Sequence, residues 1–456
     1  MSKICFYALG GINYKNGVIT TCPRQADQLV FAHESILPSD IYNHKNFKKI
    51  REKLYNDIWP SGCDTCEVME KNNLKSMRKD YVLGKDNEFY KNVTFQSDYH
   101  QDTALKITPN LMDHYNTTTH EVSNLGLRHL ELRFSTACNF ACLHCSNVYS
   151  SGWTKKLQKY VPDNEVEMND LRQLLGTEHR HGPNDKSEMR LSTEQALGIV
   201  DDLNENFPNL SMIDFAGGEL LYQKQFFPVL KRLSDHPNAK NMHISFHTNF
   251  NADFDVKKLS DLLYPFKEST IIISVDAGKT FYSYFRHGGK WDKLKQNIKE
   301  FRSCNDFSWI DISCTTSIYQ MLDIYDVFES FIELECSVDA SIVQTPLYLD
   351  PSLILFDYGD ETQTDLDRTQ KMIEKNYKNK KKIVSSKDGR IYWVDHRETM
   401  QWFNYIVDYI KKTKTSYRDF NRWLVYRKKS DEIWNQNFND FFKNYQIEDN
   451  ELIRVK

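Results

Sequence analysis

The chain has 456 residues, 40% of them hydrophobic and 13% aromatic. That is enough to pack two or three domains, or one barrel with additions, and it excludes a globally disordered chain. A formal net charge of −4 gives no electrostatic reason to expect nucleic acid or an anionic membrane as a partner. No apolar run approaches the ~20 residues that span a bilayer, and the stretch from Met1 to Leu9 is too short for a secretory signal. A soluble, cytoplasmic protein is the expectation.

The chain opens with Cys5 and Cys22 on either side of Asn16-Gly17, a dipeptide that signals a two-residue hairpin turn. Trp59-Pro60-Ser61-Gly62 then leads into Cys63-x2-Cys66. Residues 80–127 are polar and read as a connector. Arg128 to Ser135 alternates with the strand period, and Cys138, Cys142 and Cys145 follow at once. Leu191 to Phe207 has helical spacing, with Ser192-Thr193-Glu194 supplying capping residues. Ser211 to Ala216 is a short strand running into Gly217-Gly218-Glu219. A helix near 223–234 and a strand at 242–248 come next, then a helix near 256–264. The β-branched run Thr270 to Asp276 reads as a buried parallel strand. A helix at 291–302, a strand near 308–316, a helix near 321–335 and a strand around Ala340 to Gln344 complete the pattern.

Strand and helix thus alternate about six times, which means βαβ units and a parallel sheet. Six units are too few for an eight-fold barrel. The expected fold is α/β: a partial (β/α)6 TIM-like barrel over 128–345, a small hairpin-containing, cysteine-bearing domain over 1–80, a connector over 81–127 and a helical region over 346–456. Successive strands end in the cysteine loop, Gly-Gly-Glu, His247-Thr248-Asn249 and Ser274-Val275-Asp276. Such termini share one rim of a barrel, where functional residues gather. Lys378 to Lys387 holds five lysines and reads as a solvated loop rather than a nucleic-acid patch.

Ten cysteines need an explanation. In a reducing compartment, clustered cysteines point to metal sooner than to disulfides. Cys304, Cys314 and Cys336 stand alone and read as small buried hydrophobes. Cys138-x3-Cys142-x2-Cys145 offers three thiolates on one short loop, which suits a four-iron cluster with one iron left open. A zinc site is the alternative, although structural zinc takes four closed ligands, commonly in more separated pairs.

These residues resemble the radical S-adenosylmethionine (SAM) superfamily, whose hallmark is C-x3-C-x-Φ-C with Φ usually aromatic; here Φ is His144. The resemblance implies a 4Fe-4S cluster on Cys138, Cys142 and Cys145, with SAM on the open iron. One-electron reduction would then release a 5′-deoxyadenosyl radical that abstracts hydrogen from a substrate. It also implies that Gly217, Gly218 and Glu219 contact the SAM ammonium, that Ser274 meets its ribose and carboxylate region, and that Arg286 pairs with its carboxylate. His144 and Asn147 would lie near SAM. Asp276 either faces substrate or caps a helix.

The pattern Cys5-x11-Gly17-x4-Cys22, with Cys63-x2-Cys66, resembles the auxiliary-cluster extension of the SPASM and twitch subgroups. Four cysteines allow one further 4Fe-4S cluster, the shorter twitch type; a four-cysteine zinc ribbon is the alternative. The extension here precedes the barrel instead of following it, and the proline usual after the first cysteine is absent. A tight turn at Asn16-Gly17 also leaves Cys5 beyond the partner of Cys22, so the chain must bend to close the site. The resemblance favours modification of a peptide or protein side chain. The alternatives are a small metabolite, sugar or nucleotide as substrate, or a non-catalytic electron-transfer protein. A reductant such as flavodoxin or ferredoxin is the implied partner.

Overall fold

The computed structural model describes residues 3–15, 17–23, 25, 30–31, 35–71, 76–78, 111–146, 149–160, 190–343, 346–355, 359–377, 381–389, 391–394, 397–413, 416–442, 444–449 and 451–455. Its centre is one sheet. Strands β1 (Gly11–Lys15), β2 (Val18–Thr20), β3 (Val30–Phe31), β4 (His129–Leu132), β5 (Met212–Phe215), β6 (His243–Thr248), β7 (Glu268–Ser274), β8 (Trp309–Thr316) and β9 (Ser337–Ile342) lie in the order β9-β8-β7-β6-β5-β4-β1-β2-β3. From β9 through β4 to β1 every pairing is parallel, and β2 and β3 add an antiparallel edge. Among the described residues the two edge strands do not pair with each other, so the barrel is partial.

Helices follow the strands as the alternation predicts: α5 (Thr193–Asn206), α6 (Phe226–Ser234), α7 (Val256–Leu263), α8 (Trp291–Cys304), α9 (Ile324–Glu333) and α10 (Gly359–Tyr377). Helices that precede them include α1 (Phe6–Gly10), α2 (Lys45–Tyr55), α3 (Asp64–Lys71) and α4 (Ser151–Tyr160). Helix α5 begins where its capping box dictates. Ser192 Oγ accepts from Gln195 N at 3.1 Å, and Gln195 Oε1 accepts from Ser192 N at 2.9 Å.

Along each strand, side chains that alternate in facing also alternate in chemistry. Ile213, Phe215, Ile244, Phe246, Ile271, Ile273 and Ile312 are buried to completion. Phe226 of α6 meets Phe215 and Phe246 at 5.5 and 5.3 Å between ring centroids, so this apolar set faces the helices. The residues between them, Asp214, His247, Asp311, Ser313 and Thr315, are half-buried or exposed. The concave face is therefore polar, unlike the apolar interior of a closed barrel.

The N-terminal hairpin is not set apart from this sheet. Lys15 pairs with Val18 across the turn, where Gly17 has φ +88°. On its other side β1 pairs with β4 through Gly11↔His129 and Asn13↔Glu131. The bend that Cys5 requires is helix α1, which Cys5 precedes as its N-cap residue. Arg51 of α2 holds α1 in place. Its Nε, Nη1 and Nη2 donate at 2.8 Å each to Ala8 O, Asn43 Oδ1 and Tyr42 O, and the side chain is 1% exposed.

The C-terminal part packs α11 (Arg397–Lys412) beside β9, with Phe403 5.4 Å from Phe328 of α9. Helix α12 (Tyr417–Trp434) lies instead against the cysteine loop. This region is not all helix. Lys381–Val384 pairs with Ile391–Val394, so part of the lysine-rich stretch is a hairpin strand, and Tyr445–Glu448 pairs with Glu451–Arg454. Of the three solitary cysteines Cys314 and Cys336 are buried as expected, but Cys304, at the exposed end of α8, is not. Replacing Arg51 with Met would leave the buried carbonyls of Ala8 and Tyr42 without donors, at a cost of about 3 kcal/mol. A urea-unfolding midpoint equal to that of the parent would contradict this.

Candidate functional site

Residues 133–146 leave the end of β4 as a loop pinned on three sides. Ala141-Cys142 forms a two-residue antiparallel ladder with Arg286-His287, pairing Cys142 with Arg286. Trp153 Nε1 donates to Cys142 O at 2.8 Å, and Ser150 Oγ to Phe140 O at 2.6 Å. From α12, the Tyr426 hydroxyl donates to Leu143 O. Inside this frame Cys145 N donates to Cys142 O at 2.9 Å, a turn that brings the last two cysteines together. Phe140 N approaches Cys138 Sγ at 3.4 Å, a contact that favours the thiolate. Burial pushes all three thiols up, Cys145 to about 12 and Cys142 further. A bound cation would reverse that, since only the thiolate ligates metal.

The Gly-Gly-Glu turn after β5 fits against this loop as glycine alone allows. Gly217 and Gly218 have φ of +84° and +58°, and a Cβ on Gly218 would stand 2.4 Å from Ala137 O. Glu219 N donates to Ala137 O at 2.8 Å. The Glu219 carboxylate is 1% exposed and accepts from Thr248 Oγ1 at 2.6 Å, from Leu221 N at 3.1 Å and from Asn249 N. It therefore ties the ends of β5 and β6 together. Burial raises its pKa against the pull of those donors.

Gln223, which the sequence reading missed, and Asn249, which it named only as a strand end, complete the joint. Gln223 Nε2 donates to Gly217 O at 2.9 Å and to Ala137 O at 3.2 Å, and its Oε1 accepts from Ser135 Oγ at 3.0 Å. Asn249 Nδ2 donates to Asn139 Oδ1 at 2.7 Å, joining the end of β6 to the cysteine loop. A lone Gln or Asn beside a motif carries no signal in one sequence.

Asp276 does not cap a helix: the next one, Tyr282–Phe285, has Phe281 at its N-cap. Asp276 is 2% exposed, accepts from Thr315 N at 2.8 Å and forms an ion pair with Arg286 Nη1. Burial opposes the Arg286 charge, but Cys142 and Asp276 hold the guanidinium more firmly protonated than usual. The Arg286 Nε is buried without a partner, and the guanidinium carbon stands 5.6 Å over the Phe140 ring. His144 stacks on Phe285 at 5.2 Å and 15°, with Nε2 3.5 Å from Asp276. Burial pushes its pKa down against the pull of Asp276. Ser274 is half-buried at the carboxyl end of β7. Asn147 lies outside the described residues.

The other four cysteines also meet. Cys5, Cys22, Cys63 and Cys66 line one cavity of about 450 Å³, its open mouth included, with Ile50, Leu54, Trp59 and Arg78 among the walls. Burial pushes the Cys5 thiol to about 11 and the Cys63 thiol to about 12, each with a neighbouring cysteine adding to the effect. Among the described residues no three His, Cys, Asp or Glu converge as the ligands of a single ion do. A four-iron cluster places its thiolates on separate irons, so a cysteine-lined cavity suits it better than a point.

The close contact of Gly218 generates a test. Gly218→Ala is expected to cost about 2 kcal/mol or more through strain at positive φ and collision with Ala137 O. Gly198→Ala, whose Cβ meets nothing within 4 Å, is the control. Equal thermal midpoints for the two variants would refute the close-approach argument.

Residues 132–319 match the family model of the Radical SAM superfamily. Among solved structures the chain is similar to Streptococcus suis SuiB bound to S-adenosylmethionine, at 14% identity over 70% of this chain and 58% of that one, with a TM-score of 0.30. SuiB bound to precursor peptide SuiA matches at 13% identity over 70% and 60%, with a TM-score of 0.34. TYW1 with a lysine-pyruvate adduct bound matches at 15% identity over 60% and 80%, with a TM-score of 0.28. The chain thus spans less than two thirds of the length of the SuiB chains. No curated protein matches it. The cysteine loop, the strand-end turn packed on it and the family match agree: residues 132–319 form a domain of the radical SAM superfamily of enzymes.

Proposed function

We propose that this chain is a radical SAM enzyme that modifies a peptide or protein side chain and carries an auxiliary iron–sulfur cluster. The observation that carries the reading is the joint between the Cys138–Cys145 loop and the Gly-Gly-Glu turn, fixed by Glu219 N to Ala137 O at 2.8 Å. Cys138, Cys142 and Cys145 would hold the first cluster, and Cys5, Cys22, Cys63 and Cys66 the second. When bound, the first cluster and SAM supply one-electron cleavage to a 5′-deoxyadenosyl radical for hydrogen abstraction.

The chain's own residues bind, orient and exclude water. The positive φ of Gly217 and Gly218 turns the backbone so that it can lie close to a ligand. Glu219, held by three internal donors, supplies negative potential for the ammonium without moving. Arg286, already charged and fixed by Asp276, suits a carboxylate. In this reading Asp276 orients Arg286 and does not itself meet substrate. Ser274 and Asn147 would border the ribose and methionine ends. Helix α12 closes the outer side of the loop through Tyr426 and Trp434, which limits solvent access to the cluster. The peptide preference rests on the likeness of the N-terminal cysteine pattern to twitch extensions, and the open polar face of the sheet gives room for such a substrate.

Anaerobically reconstituted protein is expected to hold about eight irons and eight sulfides per chain and to form 5′-deoxyadenosine when reduced. Cys142→Ala should abolish that product. Cys63→Ala should lose about half the iron while retaining uncoupled SAM cleavage. Persistent deoxyadenosine in Cys142→Ala would refute the assignment, and one zinc with about four sulfides in the parent would remove the auxiliary cluster. For the substrate class, peptide and small-molecule fractions of a cell extract can be compared. Stimulation of deoxyadenosine formation by the small-molecule fraction alone would overturn the peptide reading.

A further inference from the structure

Among the described residues, the cavity lined by Cys5, Cys22, Cys63 and Cys66 has one charged side chain in its lining, Arg78. Arg78 and its partner Glu70 are part-buried, with side chains 11% and 12% exposed. Arg78 Nε donates to Glu70 Oε1 at 2.8 Å, Nη2 donates to Glu70 Oε2, and Nη1 donates at 3.1 Å to the carbonyl of Ile4, the residue before Cys5. Ser76 Oγ donates to Glu70 Oε1 at 2.6 Å, and the guanidinium carbon stands 5.6 Å over the Trp59 ring on the cavity wall. All three nitrogens are engaged, so the fork cannot swing away. Burial opposes its charge, but Glu70, and beyond it Cys5 and Cys66, hold Arg78 protonated.

A buried ion pair is a weak device for stability, because desolvation offsets much of its attraction. Its placement against four cysteines gives it another use. We propose that Arg78 is a positioning residue for a cluster held by Cys5, Cys22, Cys63 and Cys66, raising the cluster's reduction potential by presenting a fixed positive charge, with Glu70 setting how much of that charge the cluster feels. The inference rests on the auxiliary-cluster reading above. Adding one electron to the cluster adds one negative charge, and a nearby cation stabilises the reduced form more than the oxidised one. The walls of Ile50, Leu54 and Trp59 are apolar, so screening there is weak.

The test is a mediated redox titration of the full chain followed by EPR, in a Cys142→Ala background that leaves the auxiliary cluster as the signal. Arg78→Gln is expected to lower the midpoint potential, Glu70→Gln to raise it, and Arg78→Lys to stay nearer the parent than Arg78→Gln. A purely structural role would reduce iron content in each variant without shifting the potential in opposite directions. If the variants keep about four irons per chain and the two neutralising substitutions move the midpoint the same way, or not at all, the inference is wrong. If Arg78→Gln does not hold the cluster, the sign of the Glu70→Gln shift decides alone. A parent that holds no second cluster under any reconstitution would sink the auxiliary-cluster reading itself, and the Arg78 inference with it.

Discussion

The parallel pairing of β1 with β4 is the constraint on which the arrangement depends. It runs from Gly11↔His129 to Tyr14↔Leu132, and cysteines of both groups are reached from its two strands. Just before β1 stands α1, with Cys5 at its start; just after β2 comes Cys22. Immediately beyond β4 comes the loop of Cys138, Cys142 and Cys145. Two cysteine groups far apart in sequence are thereby attached to neighbouring strands of one hydrogen-bonded sheet. The hairpin that heads the chain is an extension of the barrel wall. A sheet edge has to be paired or covered, and β1 meets that need at β4 while bringing Cys5 and Cys22 with it.

Each cysteine group has a buried arginine–carboxylate pair beside it. Arg286 and Asp276 stand next to Cys142, and Arg78 and Glu70 line the approach to Cys5 and Cys66. Buried thiols resist ionisation, as the raised values at Cys5, Cys63 and Cys145 indicate. A cation held by its own counterion lessens the repulsion that accumulates when several thiolates share one site, yet does not neutralise them. The two pairs differ in setting. Asp276 also accepts from Thr315 N on β8, so its position is fixed by the sheet, whereas Glu70 sits on helix α3 and takes its second contact from Ser76.

The polar concave face follows from the same economy. A closed barrel fills its interior with branched apolar side chains, but here Ile213, Phe215, Ile244, Phe246, Ile271, Ile273 and Ile312 face the helices, and Ile272 stands among polar neighbours on the other face. Asp214 accepts from Ser245 and bonds His129 at 2.7 Å, while His247, Asp311, Ser313 and Thr315 look into the open side. A sheet that leaves one face for ligands keeps it hydrogen-bonded and wet.

What the sequence determined by itself were features with local causes. The strand–helix alternation, the capping box at Ser192, the turn at Gly17 and the spacing of Cys138, Cys142 and Cys145 depend on residues a few positions apart, and each was legible. Even the bend required at Cys5 could be inferred from the turn, although not that a helix makes it. The tertiary structure decided the rest. It made Asp276 the counterion of Arg286 and not a helix cap, engaged the Glu219 carboxylate with Thr248, Asn249 and Leu221, and enlisted Gln223, Asn249 and Arg78. The physical reason is range. Backbone conformation and ligand spacing are local properties, whereas the partner of a buried charge or amide is whichever group the packed fold brings within hydrogen-bonding distance.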